Sequence, residues 1–253
     1  DGKLMPFVQS GRSGKYMSEI TIDLETGDAH LNQIKVDKRF DKMAHNEQIE
    51  AFLAPFTEKV DSLMHRVLVE SSQDMINGRD DWSLSNWLCD IILDIAKDIY
   101  KGPIDFSIMN RGGIRQNIAK GAVTQGLIMS MLPFSNNFVA IKIKGSDLLD
   151  ALKVMAKRGG DSVSKQLYVE FTKNGDITKA LYNGKAIEAE KYYNVLTIDY
   201  LANGGDYMEP FIKSERLFTD NVKYGDRVLP YLEKLGKKGK KLTTTKQPRM
   251  ICK

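Results

Sequence analysis

The residues best suited to chemistry begin with a glycine-rich loop at positions 110–115, which read Asn-Arg-Gly-Gly-Ile-Arg. The loop follows a short predicted strand. Gly112 and Gly113 let the backbone approach a ligand closely and expose its N–H donors. Arg115 adds a planar, permanently charged guanidinium that suits a phosphate or a carboxylate. The segment therefore indicates an anion-binding loop, with an ordinary turn as the alternative.

A second loop, at positions 200–206, combines an aromatic ring, an amide and a carboxylate in the string Tyr-Leu-Ala-Asn-Gly-Gly-Asp. The ionised carboxylate of Asp206 only accepts hydrogen bonds, which suits the paired hydroxyl groups of a sugar. The alternative is a Gly-Gly-Asp turn in which Asp206 caps its own backbone. The residue types of this loop thus fit either a sugar site or a plain turn.

Between the two loops lies a Leu-Pro-Phe string at positions 132–134, where Pro133 restricts the backbone. The ring of Phe134 is either tucked into the core or offered to a flat ligand. Phe134 and Tyr200 come from separate loops and can hold a nucleobase between their rings. Stacking of this kind contributes roughly 1–3 kcal/mol per base. The two rings therefore predict a base-binding site.

Catalytic groups are sparse, and the three histidines all lie in the first quarter of the chain, at positions 30, 45 and 65. Asp28-Ala29-His30 matches the Asp-x-His string that opens a two-metal phosphatase site, but no further cluster completes a binuclear centre. Cys89 and Cys252 lie too far apart for a zinc ribbon or a disulfide-rich scaffold. No P-loop or dinucleotide fingerprint occurs. The sequence therefore assigns no catalytic residue and no metal ligand to this chain.

The composition is typical of a soluble globular protein, because 42% of the 253 residues are hydrophobic and 28% are charged. No apolar run approaches the roughly 18 residues that a membrane-spanning helix needs, which excludes a membrane span. The net charge is only +4, and lysines crowd the C-terminal end from position 234 to 246. A solvated, flexible end accounts for these lysines better than a phosphate-binding tail, so nucleic acid is not the expected partner.

The spacing of apolar residues and turn formers predicts a mixed α/β fold. Two strands are expected around positions 11–14, with a return strand at 31–36. An amphipathic helix follows over 46–67, and Pro55 is expected to kink or divide it. Farther along, Ser85 is expected to cap one helix, and Gly159-Gly160 to close a helix that begins at Ser146. Strands are predicted at 104–109, 139–143, 167–171, 177–182 and 192–198, with hairpin turns at 174–175 and 183–184.

Three motifs in this order resemble the C-terminal domain of the 5′-nucleotidase family. That family's pattern contains Asn-x-Gly-Gly-Ile-Arg, then Leu-Pro-Phe, then an aromatic residue followed by Leu-Ala-x-Gly-Gly-Asp. Residues 110–115, 132–134 and 200–206 match it, and residues 144–148 match the start of the family's next helix. The resemblance covers roughly residues 65–253. It implies that domain's fold, a mixed α/β arrangement of layered sheets and helices.

The resemblance also implies what the matching residues bind. Phe134 and Tyr200 would clamp the base between their rings, and Asn110 would hydrogen-bond the base edge. Asp206 would bind the ribose hydroxyls. The expected ligand is therefore a nucleoside monophosphate or a nucleoside.

The phosphate is expected to lie on arginine. The resemblance assigns it to Arg115, and Arg79 is the nearest candidate for the second phosphate-binding arginine that the family has before the domain's first helix. The substrate-binding residues expected from motif and resemblance together are Asn110, Gly112, Gly113, Arg115, Phe134, Tyr200, Asp206 and Arg79.

Two positions depart from the family pattern. The family usually has phenylalanine where Tyr200 stands, and the extra hydroxyl needs a partner or water. The family commonly has glycine after the aspartate, where this chain has Tyr207. If that position requires a positive φ, a tyrosine there is costly.

A larger departure concerns metal. In this family a separate N-terminal lobe holds two divalent metal ions, and none of its ligand motifs occurs here. Residues 1–40 resemble the closing strands of that lobe, residues 41–67 its connecting helix, and residues 68–253 the nucleotide-binding domain. The resemblance thus implies the substrate-recognition lobe of a metal-dependent 5′-nucleotidase of nucleotide catabolism, with a metallophosphatase lobe as partner and a periplasmic or cell-surface location. The alternative is a freestanding nucleoside- or nucleotide-binding module without hydrolysis.

Overall fold

The computed structural model describes residues 7–11, 14–43, 46–78 and 80–253. Its contacts divide the chain into two compact units, Asp1–Glu58 and Lys59–Lys253. The division into segments at residues 40 and 67 stays a prediction. Within the described residues, no helix is both long enough and apolar enough to cross a membrane.

The first unit contains a β-hairpin and most of a long helix. Strands β1 (Tyr16–Ile22) and β2 (Ala29–Lys35) pair antiparallel, and Asp23 accepts the backbone N–H groups of the intervening turn. The strand expected before Gly11 is absent from residues 7–11, so that part of the prediction is wrong. None of the described residues between 7 and 58 is buried.

Helix α1 (Glu47–Met64) confirms the helix predicted over 46–67, although it ends three residues earlier. Asn46 caps it, because its side-chain oxygen accepts the N–H groups of Gln48 and Ile49. The helix is continuous through Pro55, which excludes the division into two helices, and the alternative of a kink at Pro55 stays a prediction. Its predicted apolar stripe is exposed at Ile49, Phe52, Leu53, Phe56, Val60 and Leu63.

The second unit is built on three sheets. Its strands are β3 (Val67–Ser71), β4 (Phe106–Met109), β5 (Gly121–Thr124), β6 (Asn137–Lys144), β7 (Ser162–Val163), β8 (Leu167–Phe171), β9 (Ile177–Tyr182), β10 (Lys185–Ala186), β11 (Tyr192–Ile198), β12 (Glu215–Lys223), β13 (Lys241–Leu242) and β14 (Met250–Cys252). The five-stranded sheet has the order β12-β6-β11-β4-β7, the four-stranded sheet the order β10-β9-β8-β14, and the three-stranded sheet the order β13-β3-β5.

Helices pack around these sheets, and their apolar faces form the core. Leu88, Ile92 and Ala96, on the second helix of the chain, are fully buried, as are Leu148 and Leu152 on the fourth. The helices of the second unit, after the end of α1, are α2 (Ser83–Ile99), α3 (Gln125–Met131), α4 (Gly145–Lys157), α5 (Asp199–Ala202), α6 (Glu209–Ile212) and α7 (Tyr224–Lys237). The mixed α/β prediction is confirmed.

The predicted helix ends have different outcomes. Ser85 is not a cap, because α2 begins at Ser83 and the hydroxyl of Ser85 donates to the side-chain oxygen of Asn77. Gly159-Gly160 does close α4: both residues have positive φ, and the N–H of Gly160 bonds back to the carbonyl of Met155. The hairpin turns at 174–175 and 183–184 are also present.

The lysine-rich C-terminal end is not loose, which corrects the sequence-based interpretation. Strand β13 pairs with β3, and β14 pairs with β8. Asn86 donates to the carbonyls of Thr245 and Gln247, and Lys246 pairs with Asp81. Strand pairing and these side-chain bonds hold residues 241–253 against the body of the second unit.

Candidate functional site

All three motif loops lie at the same end of the strands of the five-stranded sheet. Strands β4 and β11 are parallel neighbours, so the loops after Met109 and Ile198 emerge at the same end. Strand β6 runs antiparallel to β11, with Phe138 opposite Ile198, so the residues just before β6 lie at that end as well. This topology, rather than any local signal, brings residues 110–115, 132–134 and 200–206 to one region of the sheet.

Asn110 begins the first loop, and its side chain is almost fully buried. Its amide nitrogen donates to Oδ2 of Asp206 at 2.7 Å, although the two residues are 96 positions apart. Gly113 makes room for this side chain, because a Cβ at that position would lie 3.0 Å from Oδ1 of Asn110. The second glycine of the motif therefore shapes the loop as well as exposing its backbone.

Asp206 is where the first and third loops meet. Its Oδ1 accepts a hydrogen bond from the hydroxyl of Tyr200 at 2.9 Å, and its backbone carbonyl accepts one from the guanidinium of Arg158. The bond to Asp206 raises the pKa of the Tyr200 phenol above its ordinary value. The hydroxyl of Tyr200, which a phenylalanine would lack, therefore has a partner, and this partner is the carboxylate that the sequence predicts to bind ribose.

Backbone geometry in this loop bears out the concern over Tyr207. Asp206 and Tyr207 have φ angles of 55° and 62°, both in the left-handed region. Aspartate tolerates this region better than most residues, whereas a tyrosine has no such compensation. Because 75% of Tyr207 is exposed, its side chain makes little packing that could offset the strain.

Tyr207→Gly is expected to stabilise the protein by about 0.5–1 kcal/mol. Relief of left-handed strain contributes about 1–2 kcal/mol, and the greater freedom of glycine in the unfolded chain takes part of that away. Tyr207→Ala is the matched control, since it removes the ring but keeps a Cβ at positive φ. Urea unfolding of the two variants measures the difference, and equal stabilities would show that the position is not strained.

Arg115 and Phe134 form a second pair at the same end of the strands. The guanidinium carbon lies 5.0 Å from the centre of the Phe134 ring, a cation–π geometry, and the Arg115 side chain is exposed. Phe134 borders a small cavity of about 190 Å³ with Pro133 and Lys223. Phe134 and Tyr200 are 42% and 43% exposed as residues, and no ring contact joins them within the described residues. Their action as a clamp stays a prediction.

A larger cavity of about 790 Å³ borders Asp206 and Gly112. It contains groups that sequence reasoning missed. Arg158 pairs with Asp161, which also accepts the backbone N–H of Arg111. Burial raises the pKa of Asp161 against the opposing effect of Arg158. Its lining residues are Asn77, Arg111, Gly112, Arg158, Gly159, Gly160, Asp161 and Asp206.

Arg111 occupies the variable position of the first motif, and it is firmly held. Its guanidinium lies 4.1 Å from the ring centre of Trp82 and donates to the side-chain oxygen of Asn77 and the carbonyl of Gly78. The sequence marks Arg158 as a possible site residue only by its position directly before Gly159-Gly160, the pair that ends helix α4. Arg79, the remaining expected site residue, lies outside the described residues.

Metal ligands do not cluster in the part of the chain that the structure describes. No group of three or more histidine, cysteine, aspartate or glutamate residues there can hold a metal ion. His30 lies on the exposed hairpin opposite Thr21, and His45 lies outside the described residues. The described residues therefore do not fit the two divalent ions that the resemblance implies.

Comparison with known proteins places this arrangement in a family. The family model for the 5′-nucleotidase C-terminal domain matches residues 67–213. The 5′-nucleotidase of Vibrio parahaemolyticus is 24% identical over 227 residues, which cover 79% of this chain and 39% of that protein. The human 5′-nucleotidase is 26% identical over 255 residues, covering 87% of this chain and 44% of that protein. The chain thus spans less than half the length of these relatives.

Solved structures share the fold. The 5′-nucleotidase precursor of Thermus thermophilus superposes with a TM-score of 0.69 at 20% identity, covering 94% of this chain and 50% of that one. An NAD nucleotidase of Haemophilus influenzae superposes with a TM-score of 0.60 at 17% identity, covering 92% and 48%. The predicted fold class and resemblance are both confirmed. Because the family model matches more than half of this chain, the chain belongs to the 5′-nucleotidase C-terminal domain family.

Proposed function

We propose that this chain is the substrate-recognition lobe of a metal-dependent 5′-nucleotidase. It binds the base, ribose and phosphate of a nucleoside monophosphate, while a metallophosphatase lobe outside the chain hydrolyses the phosphomonoester. One observation carries the proposal: side chains from two motif loops converge on the carboxylate of Asp206, with Asn110 on one oxygen and Tyr200 on the other. A turn that only capped its own backbone would need neither partner.

The exposure of the aromatic rings supports base binding. Phe134 and Tyr200 are each about two-fifths exposed, although both lie beside well-packed strands. We assign the two ring faces to the base, the Asn110 side chain to the base edge and Asp206 to the ribose hydroxyls. The exposed guanidinium of Arg115, next to Phe134, is assigned to the phosphate.

Positioning is the contribution that these residues make to the reaction. Holding a substrate in a reactive geometry removes much of the entropic barrier to a later chemical step. We propose that the two divalent ions and the hydrolytic step belong to a lobe built from other residues, with residues 41–67 as the connection. A periplasmic or cell-surface location is part of this proposal, and fractionation of cells that express the protein tests it.

Phe134→Ala is expected to weaken adenosine binding by roughly 1–3 kcal/mol, because one face of the base loses its stacking partner. Isothermal titration calorimetry measures the affinity. Tyr192→Ala is the control, since Tyr192 is an exposed aromatic residue on strand β11 outside the proposed site. Unchanged affinity in a folded Phe134→Ala variant would remove this ring from the site.

Phosphate release distinguishes the proposed nucleotidase lobe from the alternative, a freestanding binding module without hydrolysis. The chain alone is expected to release negligible phosphate from AMP, with manganese or zinc added. Turnover should appear when a metallophosphatase lobe of the family is supplied in trans. Robust turnover by the isolated chain would overturn the proposal. Micromolar nucleoside binding without restored turnover would instead support the freestanding binding module.

A further inference from the structure

The carboxylate of Asp206 carries one protein donor on each of its oxygens. Asn110 donates to Oδ2 and Tyr200 to Oδ1. An ionised carboxylate has about four acceptor positions, two on each oxygen. The two protein donors therefore leave one acceptor position on each oxygen, which is the arrangement that a pair of neighbouring hydroxyl groups can fill.

The backbone of Asp206 is also held in place. Its φ of 55° lies in the left-handed region, and its carbonyl accepts a hydrogen bond from Arg158 at the end of α4. Asn110 approaches from the end of β4, and Tyr200 from α5. Three separate segments thus fix this residue, and loss of the Tyr200 bond would free only one side of the carboxylate.

The Tyr200 ring is constrained as well. A Cβ on Gly205 would lie 2.5 Å from Cζ and 2.6 Å from Cε2 of the ring, so the ring lies directly against the glycine backbone. Phe134 has no equivalent bond to the sugar-binding carboxylate, and its ring faces the guanidinium of Arg115. The two rings of the proposed clamp are therefore different in kind: one can only stack, and the other also holds Asp206.

We infer that Tyr200 is a positioning residue that makes the site specific for ribose over 2′-deoxyribose. Its hydroxyl holds the Asp206 carboxylate so that both remaining acceptor positions face the two sugar hydroxyls. This inference rests on the proposed function, in which Asp206 binds ribose. A deoxyribose leaves one position of a fixed, half-buried carboxylate without a donor, and an acceptor left in this way is costly. Without the Tyr200 bond, Oδ1 can move toward the remaining hydroxyl or toward water while Asn110 still holds Oδ2, so discrimination falls.

Tyr200→Phe tests the inference, because it keeps the ring and removes the hydroxyl. Calorimetry with adenosine and 2′-deoxyadenosine gives the ratio of the two affinities. In the parent protein this ratio is expected to be about tenfold, the lower end of the value of one hydrogen bond to a charged group. In Tyr200→Phe the ratio should fall to about twofold, mainly because 2′-deoxyadenosine no longer leaves a fixed acceptor without a donor. Melting temperature and circular dichroism confirm that the variant is folded.

Two further variants separate the possible failures. Tyr200→Ala should weaken the binding of both nucleosides because it removes the stacking ring, and it should lower the ratio to about the twofold of Tyr200→Phe because it also removes the hydroxyl. Tyr192→Phe, which removes an exposed hydroxyl from β11, should leave the ratio unchanged. A ratio that stays about tenfold in Tyr200→Phe would overturn the inference and leave the proposed function intact. Absence of binding of either nucleoside to the parent protein would overturn the proposed function itself.

Discussion

Gly205→Ala is expected to abolish measurable adenosine binding and to lower the free energy of unfolding by about 3 kcal/mol. An added Cβ would lie 2.6 Å from the backbone carbonyl oxygen of Tyr200 and 2.5 Å from its ring. A rotamer change can move the ring but not the carbonyl, so the short helical turn over Gly205–Tyr207 must shift. Overpacking at a well-ordered position costs typically 1–3 kcal/mol, and here the shift also displaces Asp206 and Tyr200.

The control for this variant is another glycine-to-alanine change where space exists. Gly225→Ala places its Cβ 3.7 Å from the carbonyl of Leu132, an ordinary van der Waals contact. Gly225 is the second residue of helix α7, where alanine is favoured over glycine by up to about 1 kcal/mol, the value for a helix interior. Gly225→Ala should therefore bind adenosine like the parent and unfold at equal or higher urea concentration. If Gly205→Ala behaved the same way, the close packing of Tyr200 on this glycine would be disproved.

Arg249→Met is expected to destabilise the protein by about 3 kcal/mol. Arg249 makes two hydrogen bonds with the carboxylate of Asp90, at 2.7 and 2.9 Å, and a third with the carbonyl of Val163 at 3.0 Å. Its side chain is only 14% exposed and that of Asp90 31%. Removing one member of a largely buried ion pair leaves the other charge uncompensated, which costs about 3–5 kcal/mol when burial is complete. Asp90 keeps the N–H of Lys165, so the lower end of that range applies.

Urea unfolding measures the effect of Arg249→Met, and the melting temperature should fall by about 6–12 °C for a unit of this size. Lys97→Met is the matched control, because Lys97 pairs with Asp94 on the same helix but is 74% exposed. An exposed pair contributes little, so this change should lie within about 0.5 kcal/mol of the parent. Equal effects of the two substitutions would show that Arg249 does not anchor the C-terminal segment.

Local sequence signals predicted elements well where neighbouring residues decide the structure. Asn183 and Gly184 both adopt the positive φ that their turn requires, and Gly159-Gly160 ends α4 for the same reason. The helix from 47 to 64 follows from its own spacing of apolar residues. The prediction that Ser85 caps a helix was wrong. Its hydroxyl donates to Asn77, which lies before the helix and contacts Ser85 only in the folded chain.

Local sequence signals failed where a residue contacts partners that lie far away in the sequence. The lysines near the C-terminus gave no sign that Leu242 and Met250 belong to strands, because each strand is short and its pairing partner lies far back in the chain. The cavity beside Asp206 was missed for a similar reason, since Arg158 and Asp161 reach it only because β7 pairs with β4.

By itself, the sequence determined the mixed α/β class, the family resemblance and the loops that carry glycine, aromatic and carboxylate groups, because these depend on residue types at short spacing. Only the tertiary structure decided that the hydroxyl of Tyr200 bonds to Asp206, that Asn110 is engaged by the same carboxylate, and that Arg158 holds its backbone. The order and direction of strands β4, β6 and β11 bring those groups together. Hydrogen bonds between residues tens of positions apart form only after that sheet is assembled.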